Sequence, residues 1–532
     1  MPNELFYLRP NVVIEPLFAR WYAWLQLISP MTAPLFLVHQ HLKIMRSFVA
    51  QPELHVAAMQ DPQLIGGPYI NYGSGQVGAV QAQIDETTRS CATMIEFAAA
   101  LKSLDRMLAD HALGMSLEAI YPRVPDILRG FVELGYDLEN HLSVRLLEGL
   151  LYRSSHYHEA AQSLLLWRID RDERPFIFST PRLGGPGELP LERPFRDTAL
   201  DEICDLRRRP APIGRILELL DVAGAPEREE LVRSFLTREP PVPAPRFEGD
   251  GLRVRYFGHA CVLLESKGVS VLTDPALSYR YPTELPRFTF DDLPERIDYV
   301  LITHGHADHL MLETLLPLRS RIGTIVVPKS NGERQDPSLR LALRHLGFRN
   351  VVELDELEDI PFEGGSILGL PFLGEHGDLH IRSKLAYGVR LGGRCAVIAA
   401  DSNVLEPELY RHVKEVLGPV DILFIGMESE GAPLSWIYGP LLFTPLARKM
   451  DQSRRLSGSN AKRAAALVDL LQPRHVRVYA MGQEPWLGHV MGLKYTDTSP
   501  QIVQSNELLA HCRASGIAAA RPYCIEEMHL AP

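Results

Sequence analysis

The chain is poor in the features that would classify it quickly. Its 532 residues include only six cysteines, Cys91, Cys204, Cys261, Cys395, Cys512 and Cys524, and no two form a CxxC pair. Neither a zinc ribbon nor a disulfide framework is signalled. The first residues, MPNELFYLRP, lack the basic-then-apolar pattern of an export signal. The most apolar early stretch, PLFARWYAWLQLISPMTAPLFLV, carries Arg20 and is broken by Pro30 and Pro34. A membrane span needs about 20 uninterrupted apolar residues, so this stretch reads as buried helix and loop and the protein as cytosolic. Basic charge is not in excess. The net charge of −11 disfavours a long polyanion as a ligand for the whole surface, and no basic–aromatic stripe suggests nucleic acid. No GxGxxG follows a strand and no P-loop is present, so no flavin, nicotinamide or nucleotide fingerprint is visible.

What remains is an ordinary globular composition, 46% hydrophobic and 23% charged, on a chain long enough for two to four domains. The proline-rich segment TREPPVPAPRFEGDG (237–251) divides it. Prolines at this density favour extended, unpaired backbone, so 241–251 reads as a linker. Residues 1–240 read as a mainly helical α+β domain suited to dimerisation or to a partner or substrate surface. Its clearest helix is QAQIDETTRSCATMIEFAAALKSLDRMLADHA, and RPFIFST is a short strand candidate. From 252 to 532 short β-branched runs alternate with turns and helices, among them MLETLLPL and NAKRAAALVDLLQ. That texture predicts two sheets covered by helices.

One loop concentrates the chemistry. In LITHGHADHL (301–310) a strand, YVLIT, runs into His304, His306, Asp308 and His309, and a helix follows. Imidazole nitrogen and carboxylate oxygen suit zinc, iron or manganese. Alternation along an extended backbone places His304 and His306 on one side, and Asp308 and His309 turn toward the helix. One loop can thus serve two metals. Further ligands should stand at other strand ends: Glu375 or His376 in GLPFLGEHGD, Asp401 at the end of CAVIAADSN, where a carboxylate could bridge two ions, and His489 in AMGQEPWLGHV. Singly, such an aspartate is more often a helix N-cap and such a histidine is more often packing. Their order along the chain gives them weight.

That order resembles the metallo-β-lactamase superfamily, whose fold is an αββα sandwich with a dinuclear site at one edge. YFGHACVLLE and VLTDP (256–275) are similar to its opening hairpin. The resemblance covers about 252–500. It implies metal ligation by His304, His306, Asp308, His309, Asp401 and His489, with Asp401 as the bridge. It places Asp274 and His259 where supporting groups often stand, although a turn former or core packing suits each equally. At GEHGD the hydrolases use a histidine. Adjacent strand residues face opposite ways, so only one of Glu375 and His376 should reach a metal unless the backbone turns sharply. A glutamate would favour iron or manganese over zinc.

The N-terminal domain, the length and Glu375 together are similar to a narrower family, the diiron β-hydroxylases of antibiotic (chloramphenicol) biosynthesis. The resemblance implies an O2-dependent diiron monooxygenase with Glu375 and Asp401 as catalytic ligands. Its substrate would be an amino acid, L-p-aminophenylalanine in the chloramphenicol case, held as a thioester on the phosphopantetheine of a nonribosomal peptide synthetase carrier domain. It implies two iron ions and O2 as co-substrate; with no flavin or nicotinamide motif visible, an external electron donor from a separate reductase is expected, and the N-terminal domain suits a homodimer. His304, His306 and Glu375 would hold one iron, Asp308, His309 and His489 the other. A dinuclear zinc or manganese hydrolase of an ester, lactam or phosphodiester uses the same residues, and a non-catalytic carrier-binding scaffold is a third reading. An acidic carrier would meet basic surface, for which CDLRRRPAPIGR (204–215) and ARKMDQSRRLSGSNAKR (447–463) are candidates beside plain solvated charge. Trp436 and Tyr438, in the aromatic insertion 428–450, would line a substrate channel or simply pack.

Overall fold

A computed structural model describes residues 4–61, 64–111 and 114–532. Its C-terminal half is built on two seven-stranded sheets. One runs in the order Val351–Leu354, Ile322–Pro328, Ile297–Leu301, Val269–Thr273, Cys261–Ser266, Leu252–Gly258, Glu526–Leu530. The other runs Asp359–Phe362, Gly365–Leu370, Ala386–Leu391, Arg394–Ile398, Ile422–Gly426, His475–Tyr479, Ala518–Ala520. Period-two alternation sorts side chains between two cores. In Cys261–Ser266, Val262 and Leu264 point into the space between the sheets, where they join Tyr387, Val389, Ile398 and Phe424 of the opposite sheet. Cys261 and Leu263 point outward into a separate cluster. Both faces of each sheet are covered, which explains the unbroken apolar run of that strand. The helices Pro407–Leu417, Ala461–Leu471 and Pro500–Ala514 cover the outside of the second sheet. Asn460 caps Ala461–Leu471, accepting from the Arg463 amide at 3.0 Å.

The outside of the first sheet is covered by Leu312–Leu318, Leu339–His345 and the N-terminal region, and one cluster runs from Leu8 to Leu456. The N-terminal region therefore shares its core with the sandwich. It contains a four-stranded sheet (Trp21–Tyr22, Val12–Phe18, Gln162–Arg168, Leu189–Leu191), a three-stranded sheet around Leu5–Leu8, and a hairpin, Val132–Tyr136 with Leu142–Leu146.

Three local expectations are corrected. The long helix breaks at Cys91 (φ −110°, ψ 25°) into Val77–Ser90 and Ala92–Ala109, and its last expected residue, Ala112, lies outside the described residues. Pro16–Phe18 and Trp21–Tyr22 are strand rather than helix or loop, because every residue of Val12–Phe18 is buried and no alternation marks it. Residues 174–180 join no sheet. Their backbone serves the sandwich instead, the Ile177 amide donating to the His489 carbonyl at 3.0 Å. Among the described residues, 241–251 have no helix or strand beyond a single bridge from Ala244 to Pro294. No helix of the described residues is long and apolar enough to cross a membrane.

Candidate metal centre

The metal loop leaves the C-terminal end of strand Ile297–Leu301 and turns at once. The His309 and Leu310 amides both donate to the His306 carbonyl, at 3.2 and 2.8 Å. Helix Leu312–Leu318 follows. Gly305 has no room for a side chain, since a Cβ there would lie 2.6 Å from Leu25 Cδ2 of the N-terminal region. The loop is thus pressed from outside while its four functional side chains turn inward.

The side chains converge in three triplets whose ligand atoms all lie within 4.8 Å of one another: His304, His306 and Glu375; His304, His309 and Asp401; His259, Asp308 and His309. Asp401 Oδ2 is 3.1 Å from His309 Nε2 and 3.8 Å from His304 Nε2, between the two halves of the site. Glu375 Oε1 is 3.0 Å from His306 Nδ1. His489, on Gly488–Met491, stands outside the triplets but is buried, with both ring nitrogens unpartnered.

Supporting hydrogen bonds choose the tautomers. Asp274, fully buried, accepts from the Thr303 amide (2.8 Å), the Thr303 hydroxyl (2.6 Å) and His309 Nδ1 (2.8 Å). His309 Nε2 is therefore left with its lone pair facing the cluster. Thr303 Oγ1 accepts from His304 Nδ1 at 3.1 Å, with the same consequence. His306 presents Nδ1 inward, and its Nε2–H donates to the Tyr438 hydroxyl at 3.3 Å. His259 Nδ1 accepts from the Gly482 amide at 3.1 Å, so His259 Nε2 carries the hydrogen and donates to Asp308 Oδ2 at 3.1 Å. His259 thereby supports Asp308 and has no inward lone pair of its own.

The Glu375 loop answers the question of which neighbour faces the cluster. Gly374 (φ 72°), Glu375 (φ 66°), Gly377 (φ 59°) and Asp378 (φ 56°) all lie in the left-handed region. This is the sharp turn that alternation alone could not supply, and both side chains enter the pocket. Glu375 joins a triplet. His376 packs behind it, its Nδ1 2.8 Å from Glu375 Oε2 and its ring stacked on His306 at 4.7 Å. A non-glycine residue held at such a φ costs about 1–3 kcal/mol, which the surroundings must hold in place. Lys384 Nζ does so by donating to the Gly374 carbonyl at 3.0 Å.

The charge balance calls for cations. Burial lowers His304 well below its ordinary pKa, and the neighbouring imidazoles push it the same way. Burial alone would also lower His309, but the Asp401, Asp308 and Asp274 carboxylates reverse this and hold it well above its ordinary value. Glu428 is raised well above the carboxylate range by burial and by repulsion from Asp401, Asp308 and Glu375. His304 Nε2, Asp401 Oδ1 and both His489 nitrogens are buried with no hydrogen-bond partner. Orphaned donor atoms of this kind, converging among excess carboxylates, fit metal ions. The set mixes imidazole with hard oxygen, which suits iron.

Sequence reasoning missed four contributors. Thr303 and Lys384 act through side-chain hydrogen bonds, to Asp274 and His304 and to the Gly374 carbonyl, and carry no motif. Glu428 stands at the head of the insertion. Arg174 pairs with Glu313, at 2.8 and 2.9 Å, on the helix that follows the metal loop. Of the two aromatic candidates, Tyr438 reaches the site, whereas Trp436 is 41% exposed and donates to the Gly66 carbonyl at 3.0 Å.

Two sheets flanked by helices, with an HxHxDH loop at the C-terminal ends of the strands, define a metallo-β-lactamase-fold metalloprotein. Residues 270–476 match the model of the β-lactamase superfamily domain, and residues 7–240 match that of the diiron non-heme β-hydroxylase N-terminal domain. The chain is 41% identical over 528 residues to the 4-amino-L-phenylalanyl-[CmlP-peptidyl-carrier-protein] 3-hydroxylase of Streptomyces venezuelae, with 97% of this chain and 98% of that protein covered. Its structure superposes on the crystal structure of CmlA, a diiron β-hydroxylase from Streptomyces venezuelae, with a TM-score of 0.92 at 39% identity, covering 99% of this chain and 100% of that one. A UPF0173 protein of Pyrococcus abyssi is 43% identical over 202 residues, 37% of this chain and 82% of its own length. The chain belongs to the diiron non-haem β-hydroxylase family. It is an oxygenase of the metallo-β-lactamase fold, and membership implies two iron ions.

Proposed function

We propose that this enzyme hydroxylates the β-carbon of an amino acid held as a thioester on a nonribosomal peptide synthetase carrier domain. The amino acid is 4-amino-L-phenylalanine, as in the name of the Streptomyces venezuelae relative, and the pathway makes chloramphenicol or a close analogue. The observation that carries the reading is Glu375 in the triplet with His304 and His306, where the hydrolases of this fold use histidine.

His304, His306 and Glu375 would hold one iron, Asp308, His309 and His489 the other, and Asp401 would be shared. When bound, the pair supplies reductive activation of O2, with one oxygen inserted into the C–H bond and the other leaving as water at the expense of two electrons and two protons. The chain's own residues do the rest. Asp274 and Thr303 hold His309 and His304 with Nε2 free. Tyr438 holds His306 with Nδ1 free. The near-complete burial of His304, His309, Glu375 and Asp401 keeps bulk water from the reacting atoms. Lacking a flavin or nicotinamide fingerprint, the enzyme draws electrons from a separate reductase. Its N-terminal region serves a homodimer contact or the substrate surface.

Elemental analysis with Mössbauer spectroscopy, combined with O2 uptake, tests this. Two irons per chain are expected, with uptake coupled to carrier-bound but not free amino acid. Two zinc ions with hydrolysis of a simple ester would overturn it. Glu375→Ala should lower hydroxylation by about 100-fold or more while leaving the fold intact. Near-normal hydroxylation in that variant would transfer the role to His376.

A further inference from the structure

One surface stretch carries cations that nothing neutralises. Residues 447–463 contain Arg448, Lys449, Arg454, Arg455, Lys462 and Arg463 against a single acid, Asp451. Asp451 is occupied by Ser435, whose amide and hydroxyl donate to it at 2.9 and 2.7 Å. Among the described residues, none of the six cations pairs with a carboxylate. Those with a partner meet neutral groups: Arg454 the Gly377 carbonyl (2.7 Å), Arg455 the Gln452 amide oxygen (3.0 Å), Arg463 the Asn403 side-chain oxygen (3.2 Å). The other basic stretch is different. Arg208 pairs with Asp205 at 2.7 Å, Arg209 with Glu295 at 3.4 Å and Arg215 with Glu202 at 2.7 Å, and Arg207 is buried against the Pro10 and Val12 carbonyls. On a chain of net charge −11, a cluster left unpaired is an electrostatic cost that a partner of opposite sign would relieve.

The patch is fastened to the metal centre. Gly377, which Arg454 holds, is two residues beyond Glu375, and Asn403, which Arg463 holds, is two beyond Asp401. The Asn403 side-chain Nδ2 in turn donates to the Ser457 carbonyl at 3.1 Å. The Leu434 amide donates to the Arg454 carbonyl at 2.9 Å, which ties the patch to the insertion carrying Tyr438. Two large apolar side chains stand exposed in the same region, Trp436 at 41% and Met450 at 52%. Exposed apolar anchors within a charged rim are the anatomy of a protein–protein contact, and they favour a folded acidic protein over a nucleic acid.

We propose that residues 447–463, with Trp436 and Met450, are the docking surface for the acylated carrier domain. The inference rests on the carrier-bound reading above. The partner presents an acidic face and an arm bearing a phosphodiester. Arg448, Lys449, Arg455 and Lys462 meet the charge, and the arm enters beside Arg454 and Arg463, one hydrogen bond from the loops that bear Glu375 and Asp401. Charge complementarity of this kind governs encounter and orientation.

The test uses the full-length, iron-loaded enzyme and the aminoacylated carrier domain, with binding followed by fluorescence anisotropy at low and physiological salt. Arg454 is left intact because it braces the Glu375 loop. In the triple variant Arg448→Glu, Lys449→Glu, Arg455→Glu the dissociation constant should rise by about 10- to 100-fold and lose most of its salt dependence. Iron content and melting temperature should stay at the wild-type values, which excludes misfolding as the cause. The control variant Arg209→Glu, Arg215→Glu should bind within about twofold of wild type. Wild-type-like binding by the triple variant would overturn the surface alone. Displacement of the carrier by an oligonucleotide of equal charge would overturn it in favour of a nucleic acid. Failure of the wild type to bind any acylated carrier would overturn the carrier-bound reading, and the surface with it.

Discussion

Replacing Asp274 with asparagine isolates the device that orients the metal loop. Asparagine keeps the shape of the side chain and removes its charge. Asp274 accepts three hydrogen bonds of 2.6–2.8 Å with no exposure to water. A bond to a charged buried acceptor contributes roughly 1.5–3 kcal/mol, and a buried donor left without a partner costs a similar amount. The asparagine oxygen can take the place of Oδ2, keeping the Thr303 hydroxyl and His309 while the NH2 group confronts the Thr303 amide, or the place of Oδ1, keeping only the Thr303 amide. In the second placement the NH2 group faces His309 Nδ1–H and two N–H groups confront each other. The imidazole then relieves the conflict by moving its proton to Nε2, the atom that faces Asp401 at 3.1 Å. His309 is thereby lost as a metal donor. Loss of such a supporting partner weakens metal binding by about 10- to 100-fold, which corresponds to about 1.4–2.7 kcal/mol. Anaerobic titration of the apoprotein with Fe(II) against a chelator of known affinity measures this directly. One of the two binding steps should weaken by that factor while the other changes little, and Thr303→Ser, which keeps the hydroxyl, should leave both intact. If Asp274→Asn lowers thermal stability but binds both ions as the wild type does, Asp274 is merely a turn former and the orientation argument fails.

Two further outcomes follow from buried charge. Arg174→Met should destabilise the protein by about 3–5 kcal/mol in urea unfolding, because Glu313 would be left buried without its cation; a loss below about 1 kcal/mol would mean that water reaches the site. Glu148 is pushed by burial from 4.5 up to about 7, although the Ser338 amide and Ser29 hydroxyl donate to it. Between those values the unfolded carboxyl loses its proton while the folded one keeps it, so stability is full below about pH 4.5, falls as pH rises, and levels off above about pH 7, a span worth about 3 kcal/mol. Glu148→Gln should flatten that part of the stability–pH curve and be more stable than wild type at pH 8; an unchanged slope would assign the dependence to other groups.

The candidate site was legible in the sequence to the extent that its candidate ligands lie close together on a regular backbone. HxHxDH declares itself because a strand and a tight turn convert four neighbouring letters into four converging side chains, and Asp401 because it ends an apolar strand. Glu375 and His376 could not be separated by alternation, since the deciding quantity is a run of positive φ values to which only the flanking glycines 374 and 377 give any hint. Thr303, Lys384 and Glu428 were invisible for a related reason: each acts through a contact with a residue distant in sequence. The same limit explains the N-terminal errors. Val12–Phe18 is buried on both faces and shows no period, and RPFIFST has the composition of a strand but its amide bonds to the turn that bears His489. That contact is one of several that couple the two regions. Leu25 presses on Gly305, Arg174 holds Glu313 and Ile177 holds His489, so the N-terminal region touches the metal loop, the helix after it and the last candidate ligand. Two regions that share one core and brace one metal pocket are not expected to unfold separately. A single cooperative unfolding transition, shifted as a whole by iron, is the thermodynamic form that this coupling takes.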